Sequence, residues 1–395
     1  MVLRIFQALG LTLTTVSAAA CGGNVVVSAG GGEGGGENGG AGGGNSVPGC
    51  ELSSNYEARY ECFPASGGAC PAAPEAESQL WSQIQGSDGC VGSGSCCTIE
   101  ETCGPDPAKV ATGSCCYDIG VDSFACEGRP FVCEGEVRIA RVAARSDWQQ
   151  EMRCPEVASL DAATRAALAR RFSEAALFEH ASVASFARFA LELMGLGAPA
   201  DLVSAAHRAM GDEIRHAEIC FTLAGAYGGE PVGPSALSLS GAGMTGRSAA
   251  ELAAAVAFEG CLNETISALL AAAEHDRASD PAVRAALGAI AADEASHAEL
   301  AWRSLAWLLS IGGDDAASAV RAVFNASTRH DPRELSIEGA DLRALAEAGY
   351  LGAEERRSIA ERALRDVVMP CARALLDGTA RPSAAIQTGM VEFRA

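Results

Sequence analysis

Two copies of a short acidic motif carry the side chains of this sequence that are best suited to bind metal ions. The copies are residues 212–216, with the letters DEIRH, and residues 293–297, with the letters DEASH. Both lie in Ala- and Leu-rich stretches with helical periodicity, and residues three apart share one face of a helix. Two pairs are therefore expected to point at one site each: Glu213 with His216, and Glu294 with His297.

Each motif is preceded by a single glutamate on another predicted helix. Glu179 lies 34 residues before Glu213, and Glu259 lies 35 residues before Glu294. This matched spacing indicates a duplicated helical hairpin, so that four helices bring four carboxylates and two imidazoles to one core. A further acid, Glu264, follows Glu259 by five residues, which turn an α-helix by about 140°. The repeat favours Glu259 as the ligand and leaves Glu264 as an extra carboxylate or a surface acid.

This set of side chains suits two iron or manganese ions, because carboxylates bridge and neutralise divalent cations and each imidazole completes one shell. Over roughly residues 160–310 the chain resembles the ferritin-like di-iron carboxylate superfamily, which uses a single Glu on helices 1 and 3 and Glu-x-x-His on helices 2 and 4. The alternative is an ordinary helical bundle with these groups on its surface. The resemblance implies a four-helix bundle, two iron ions with manganese as an alternative, and six catalytic metal ligands: Glu179, Glu213, His216, Glu259, Glu294 and His297.

Asp212 and Asp293 directly precede the ligand glutamates of the two motifs. A metal-bound imidazole usually donates its other N–H to a carboxylate. In a two-fold arrangement, we expect Asp212 to hold His297 and Asp293 to hold His216. The alternative is that both aspartates are solvated. The Asp-Glu-x-x-His form also resembles the ribonucleotide reductase small subunit and the bacterial multicomponent monooxygenases.

Two further residues near the motifs have open roles. Cys220 lies four residues after His216, at a position that holds a radical-forming Tyr or an unusual Cys in the resembling families. A buried Cys is more often a small core residue, and a disulfide with Cys261 is another possibility. His180 adjoins Glu179, but its counterpart in the repeat is Gly260, so it is expected outside the set of ligands.

The N-terminus has the features of an export signal. Residues 1–20 combine Arg4, a short apolar run and a small-residue cleavage site, and Cys21 follows at once. The arrangement resembles a bacterial lipoprotein signal, which implies lipidation of Cys21 and anchoring to a membrane of the cell envelope. The departure is Ala18, where Leu is usual, so cleavage into the periplasm with a free Cys21 is the alternative. Residues 21–49 are rich in glycine and are expected to form a flexible tether.

Residues 50–155 hold twelve of the sixteen cysteines. An even number of cysteines in an exported segment with few long apolar runs indicates a disulfide framework. Zinc or an iron–sulfur cluster is the competing interpretation, but the segment has no Cys-x-x-Cys. Residues 131–138 alternate enough to predict a small hairpin. The module contains no set of catalytic side chains, so we expect it to bind an unknown protein partner or to act as a spacer.

The remaining chain is predicted to be helical. Residues 156–312 form the metal-binding bundle, with Asp161 as the first cap, helix 2 from Pro199, helix 3 over 249–277 and helix 4 from Pro281 to about Ser310. Residues 313–395 add helices that pack on the bundle.

Composition narrows the possible functions. The net charge of −21 argues against nucleic acid and against an anionic membrane surface as partners. The leading expectation is an exported, lipid-anchored di-iron protein that reacts with dioxygen or peroxide as an oxidase, ferroxidase or peroxidase, with a monooxygenase less favoured. The alternative is a structural or binding lipoprotein of the envelope whose metal site is only structural.

Overall fold

The computed structural model describes most of the chain between residues 47 and 379. Outside the described residues lie 1–46, 54–56, 66–68, 74–75, 77–79, 81–94, 126–127, 134–135, 240–241, 243–245, 327–336 and 380–395. The predicted signal peptide, Cys21 and nearly all of the tether therefore lie outside them. The described chain divides into two compact units, one rich in strands and one mainly helical.

The strand-rich unit contains the described residues between 47 and 80 and residues 99–122. Its sheet has the order β1-β3-β2, and the unit also holds the short helix α1. β1 is antiparallel to β3, and Cys62 lies directly opposite Cys116. The elements are β1 (Glu57–Pro64), β2 (Ser95–Cys103), α1 (Pro107–Val110) and β3 (Ser114–Ala125).

Three disulfides cross-link this unit. They join Cys50 to Cys103, Cys62 to Cys116, and Cys70 to Cys115. Successive side chains of a strand point to opposite faces of the sheet. The adjacent Cys115 and Cys116 of β3 can therefore bond to two different segments. Disulfides of this kind indicate an oxidising, exported environment.

The disulfide framework differs from the prediction at Cys154, which is an exposed free thiol. Sequence position alone grouped this residue with the cysteines of the module. Cys90 and Cys126 lie outside the described residues. Residues 123–155 belong to the helical unit. Within them, β4 (Val132–Cys133) pairs with β5 (Glu136–Val137), which confirms the predicted hairpin.

Four long helices form the helical unit. Asp161 caps α2 by accepting a hydrogen bond from the Thr164 amide, and Pro199 precedes α3, as predicted. β6 (Val142–Ala144) pairs with β7 (Val232–Pro234) in the connection after α3. α2 packs on α3, α4 packs on α5, and α3 also packs on α5. The helices are α2 (Ala162–Gly195), α3 (Ala200–Gly228), α4 (Ala249–Arg277) and α5 (Pro281–Ala326).

Helix α5 is broken close to its predicted end near Ser310. Two helical segments meet at Gly313, where φ is 56°, and the second continues to Ala326. Glycine adopts this positive φ at low cost, so the second segment can follow directly.

The C-terminal helices pack on the long helices: α6 contacts α2, α7 contacts α4, and α8 contacts α5. They are α6 (Leu342–Glu347), α7 (Ala353–Ala363) and α8 (Met369–Thr379), with a π-helical segment at Leu364–Val368 between the last two.

Among the described residues, α4 is the one helix long and apolar enough to cross a membrane. However, 72% of its most apolar window is buried within the protein. Its apolar residues are those of a core helix, which packs against α5.

Candidate metal centre

Two groups of acidic and histidine side chains meet where the four long helices pack. The first contains Glu179, Glu213, His216 and Glu294, and the second contains Glu213, Glu264 and His297. In each group, one ligand atom from every residue lies within 4.8 Å of the others. Glu213 belongs to both, so the two groups adjoin. All these side chains are buried except Glu179, which is 20% exposed.

Each long helix contributes to this centre. Glu179 comes from α2, Glu264 from α4, and the two Glu-x-x-His pairs from α3 and α5. Within each pair, the three-residue spacing places both side chains on the buried face of the helix. The centre therefore lies in the packed interior between the helices.

The Nδ1 atoms of both histidines face the glutamates. His297 Nδ1 lies 3.1 Å from Glu213 and 3.6 Å from Glu294. His216 Nδ1 lies 3.4 Å from Glu294, 3.7 Å from Glu179 and 3.8 Å from Glu213. Both glutamates of the motifs thus lie close to both imidazoles, as shared carboxylates between two metal positions would.

The Nε2 atoms of the same histidines face aspartates of the opposite motif. His216 Nε2 is 3.2 Å from Asp293, and His297 Nε2 is 3.3 Å from Asp212. This is the crossed arrangement expected from the repeat. On the outside, the Arg215 guanidinium donates to both aspartates, at 2.9 Å and 2.8 Å. The repeat does not predict this role, because the counterpart of Arg215 in the second motif is Ser296.

Glu259, which the repeat favours as a ligand, lies outside both groups. Glu264, rather than Glu259, joins the second group, and Glu259 contacts Arg129 and Arg188 at 3.7 Å each. Residues Val256–Glu264 of α4 form a π-helix, in which hydrogen bonds link residues five apart. The 140° phase difference assumed a regular α-helix. In the wider helix, residues five apart lie much closer to the same face.

Arg129 is a second residue that sequence analysis did not identify. It is 1% exposed, and its Nε lies 3.5 Å from Glu264 Oε1. A single arginine between Gly128 and Pro130 gives no sequence signal for a contact with residues more than a hundred positions away. The signal for Glu264 was present, since it is the other acid on the same predicted helix.

Protons are held tightly at this centre when metal is absent. Burial opposes the charged imidazolium, but the neighbouring carboxylates of Asp293 and Glu179 raise the pKa of His216 well above its usual value. The carboxylates of Asp212 and Glu213 raise the pKa of His297 in the same way, against the same effect of burial. Burial raises the pKa of Glu213 and of Glu264. For Glu294, burial acts upward, yet the two neighbouring histidines lower the pKa.

The donor set fits a bound metal ion. Buried polar groups are normally hydrogen-bonded, yet six side-chain atoms at this centre have no hydrogen-bond partner. Carboxylate oxygens and imidazole nitrogens are common ligands of divalent metal ions. The atoms are Glu213 Oε2, His216 Nδ1, both carboxylate oxygens of Glu264, Glu294 Oε2 and His297 Nδ1.

Cys220, Cys261 and His180 lie outside both groups of acidic and histidine side chains. Cys220 and Cys261 are buried free thiols, so they do not form the disulfide that the sequence left open. Burial raises the pKa of the Cys220 thiol far above its usual range. The ring of His180 packs edge-on against Trp148, at 5.1 Å between centroids.

A cavity of about 200 Å³ adjoins the first group. Glu179, Glu213 and Glu294 form one part of its wall, together with Cys220. Elsewhere the wall includes an ion-pair network in which Glu274 binds Arg171 at 3.1 Å and Arg356 at 2.8 Å. Most of the remaining lining is apolar, including Phe172, Phe178, Leu270, Leu287 and Ile290.

Comparison of the chain with protein-family models, with curated proteins and with solved structures gave no match.

Proposed function

We propose that this protein is an exported di-metal carboxylate oxidoreductase of the ferritin-like type, which reacts with dioxygen or peroxide. The observation that carries the proposal is the pair of adjoining Glu and His groups, which share Glu213 and contain six buried side-chain atoms without a hydrogen-bond partner. The ligand types favour iron, with manganese as the alternative. In this proposal the helical unit is a ferritin-like four-helix bundle with added C-terminal helices.

The residues divide into three roles. Glu179 and His216 would hold one metal, Glu264 and His297 would hold the other, and Glu213 and Glu294 would contribute to both. Two reduced iron ions held in this way would supply electrons for the reduction of dioxygen or peroxide. Asp212 and Asp293 orient the imidazoles, and Arg215 holds both aspartates. Burial of the centre excludes bulk water from the second group.

The first experiment counts metals and measures oxygen consumption. The protein is loaded with Fe(II) without oxygen, desalted and assayed, and then mixed with oxygen or peroxide. We expect two irons per chain and consumption of the oxidant as Fe(II) is oxidised.

The Glu213→Gln variant should lose metal, because Glu213 belongs to both groups. The control is Glu218→Gln, on the same helix but outside both groups. Full metal content in Glu213→Gln would overturn the ligand assignment.

The adjoining cavity favours oxidation of a small organic molecule over oxidation of Fe(II) alone. Its lining is mostly apolar and it reaches the carboxylates of the first group. A ferroxidase needs no apolar space beside its metals. Ile290→Phe would fill part of the cavity without removing a ligand. We expect metal content and oxygen consumption without substrate to persist, while oxidation of small aromatic probe substrates falls. Equal turnover of these probes by the variant would exclude the cavity as their site.

The other candidate is a binding or structural lipoprotein of the cell envelope. Three disulfides support an exported unit that resists unfolding, and a protein partner for it remains part of the proposal. Lipidation of Cys21 would anchor the chain, and a Cys21→Ser variant that stays on membranes would exclude that anchor. A bound metal pair that is inert to both oxygen and peroxide would favour this candidate over the oxidoreductase.

A further inference from the structure

Arg129 is inserted into the helical core beside the second metal-binding group. Its guanidinium lies over the rings of Phe186 and Phe189, at 4.7 Å and 4.5 Å from the centroids. Its carbonyl accepts a hydrogen bond from the Ser182 hydroxyl at 3.0 Å. The aromatic rings and this bond fix the arginine in place, because the stacked guanidinium has little room to turn.

Two carboxylates of the π-helical segment share this cation. Arg129 Nε lies 3.5 Å from Glu264 Oε1, and Arg129 Nη1 lies 3.7 Å from Glu259 Oε2. Gly260 lies between the two acids in sequence, and a Cβ there would come within 2.8 Å of Arg129 Nη2. The absence of a side chain at Gly260 is therefore what admits the guanidinium.

The charges near Glu264 do not cancel. Glu259 also contacts Arg188 at 3.7 Å, and Glu192 pairs with Arg247 at 3.3 Å farther out. Glu264 contacts Arg129, Arg129 contacts Glu259, and Glu259 contacts Arg188. Without Glu264 itself, these contacting residues are two arginines and one glutamate. A net positive charge therefore lies behind the Glu264 carboxylate. Beside the first group, Glu179 is partly exposed to solvent, which screens charge more effectively than the buried interior.

We propose that Arg129 is a positioning residue that makes the two metal positions unequal. Its fixed charge repels a cation held by Glu264 and His297, so this position binds metal more weakly and fills second. The position of Glu179 and His216 fills first. The same charge favours a divalent over a trivalent ion at the weaker position. This inference rests on the proposed function, since it concerns the same pair of metals.

A role in packing alone makes different predictions. If Arg129 only filled space between two rings, its replacement would destabilise the metal-free and metal-loaded protein equally. Metal affinity would then be unchanged. The charge mechanism instead predicts that loss of the arginine tightens metal binding, since a cation can replace the lost positive charge between buried carboxylates.

The test is a calorimetric titration of the full chain with Mn²⁺, which binds without changing oxidation state. The wild type should bind two ions, the second at least about tenfold more weakly than the first. In Arg129→Gln, the affinity for the second Mn²⁺ ion should rise at least about fivefold, while the affinity for the first ion changes by less than about twofold. The rise in melting temperature on adding Mn²⁺ should also be larger in this variant.

Glu259→Gln provides a second, opposite test that does not depend on Arg129→Gln folding. Without the negative charge of Glu259, the positive charge of Arg129 beside Glu264 is no longer partly neutralised. The affinity for the second Mn²⁺ ion should therefore fall severalfold. The matched control is Arg303→Gln, which removes an arginine that pairs with Asp201 on the exterior and should leave both affinities unchanged. An unchanged second affinity in either test variant, or an equal rise in the control, would overturn the inference. Failure of the wild type to bind any metal would instead overturn the proposed function.

Discussion

Each histidine of the metal centre is held from two sides. Its Nδ1 faces the glutamates, and its Nε2 faces an aspartate from the opposite motif. A carboxylate on the remote nitrogen fixes the tautomer and increases the basicity of the ligand nitrogen. In both imidazoles the aspartate therefore leaves Nδ1, on the side of the glutamates, as the atom available to a metal ion.

Replacement of one aspartate should weaken metal binding without removing a ligand. In Asp212→Asn, His297 loses its anionic partner, so we expect metal affinity to fall by about 10- to 100-fold. Titration with Mn²⁺ measures the effect. The control is Asp201→Asn, on the same helix but at the exposed first turn, which should bind metal as the wild type does. Equal affinities in the two variants would show that Asp212 is not needed.

The metal-free protein should become less stable as the pH rises above about 6.5, the ordinary value for histidine. His216, His297, Glu213 and Glu264 have raised pKa values in the folded protein. The folded chain thus keeps protons that the unfolded chain has lost, and the free energy of unfolding falls with increasing pH. Melting curves in EDTA from about pH 6 to about pH 9 measure this fall. Saturating metal should largely remove it, because metal displaces the same protons. A flat or rising metal-free profile would contradict the prediction.

The sequence predicted those centre residues that follow regular helical geometry. Glu179, Glu213, His216, Glu294 and His297 were all expected, because spacings of three residues and a repeat are visible in letters alone. Arg129 and Arg215 were not, since both act through contacts that depend on tertiary packing.

At the level of elements, the π-helix in α4 accounts for the position of Glu264, because it turns residues five apart toward the same face. The predicted bounds of α4 are confirmed, so sequence periodicity located the helix but not the irregular turn within it. Helix type depends on hydrogen bonds five residues apart, which leave no clear mark on hydrophobic spacing. The sequence therefore did not predict that Glu264 lies in the second group.

Gly260, in the same segment, should tolerate no side chain. An added Cβ would lie 2.5 Å from the Ala301 Cβ and 2.8 Å from Arg129 Nη2. We expect Gly260→Ala to destabilise the protein by about 1–3 kcal/mol through overpacking, measured by denaturant unfolding. The control is Gly211→Ala in α3, where no atom lies within 4 Å of the new Cβ. That change should be neutral or stabilise by up to about 1 kcal/mol, because alanine favours helices. Similar effects of the two substitutions would contradict the close approach.

The whole molecule joins a disulfide-linked unit to a helical unit with free thiols. The three described disulfides all lie in the strand-rich unit, whereas Cys220, Cys261 and Cys371 are buried in the helical unit. The high density of cysteines in residues 50–155 predicted the part of the chain that contains the disulfides. The pairing could not be predicted, because it depends on which strands are neighbours.

Cys154 should react as a free thiol in the native protein. It is exposed, whereas burial raises the pKa of Cys220 and raises that of Cys371 to about 12. Thiolates are the reactive form, so the buried thiols should react only after denaturation. Titration with an aromatic disulfide reagent should find one fewer fast-reacting thiol in Cys154→Ser than in the wild type. An equal number of fast-reacting thiols in the variant and the wild type would indicate that Cys154 forms a disulfide.

The crossed Asp–His pairs have a consequence for how such a protein can arise. Each hairpin supplies the aspartate that the histidine of the other hairpin requires, so neither hairpin contains a complete site. An ancestor with one hairpin would have needed a second copy of itself to bind metal in this way. Duplication within one chain would supply both halves together, and each half could then change while still depending on the other. Arg215, whose counterpart in the second motif is Ser296, is a difference of this kind.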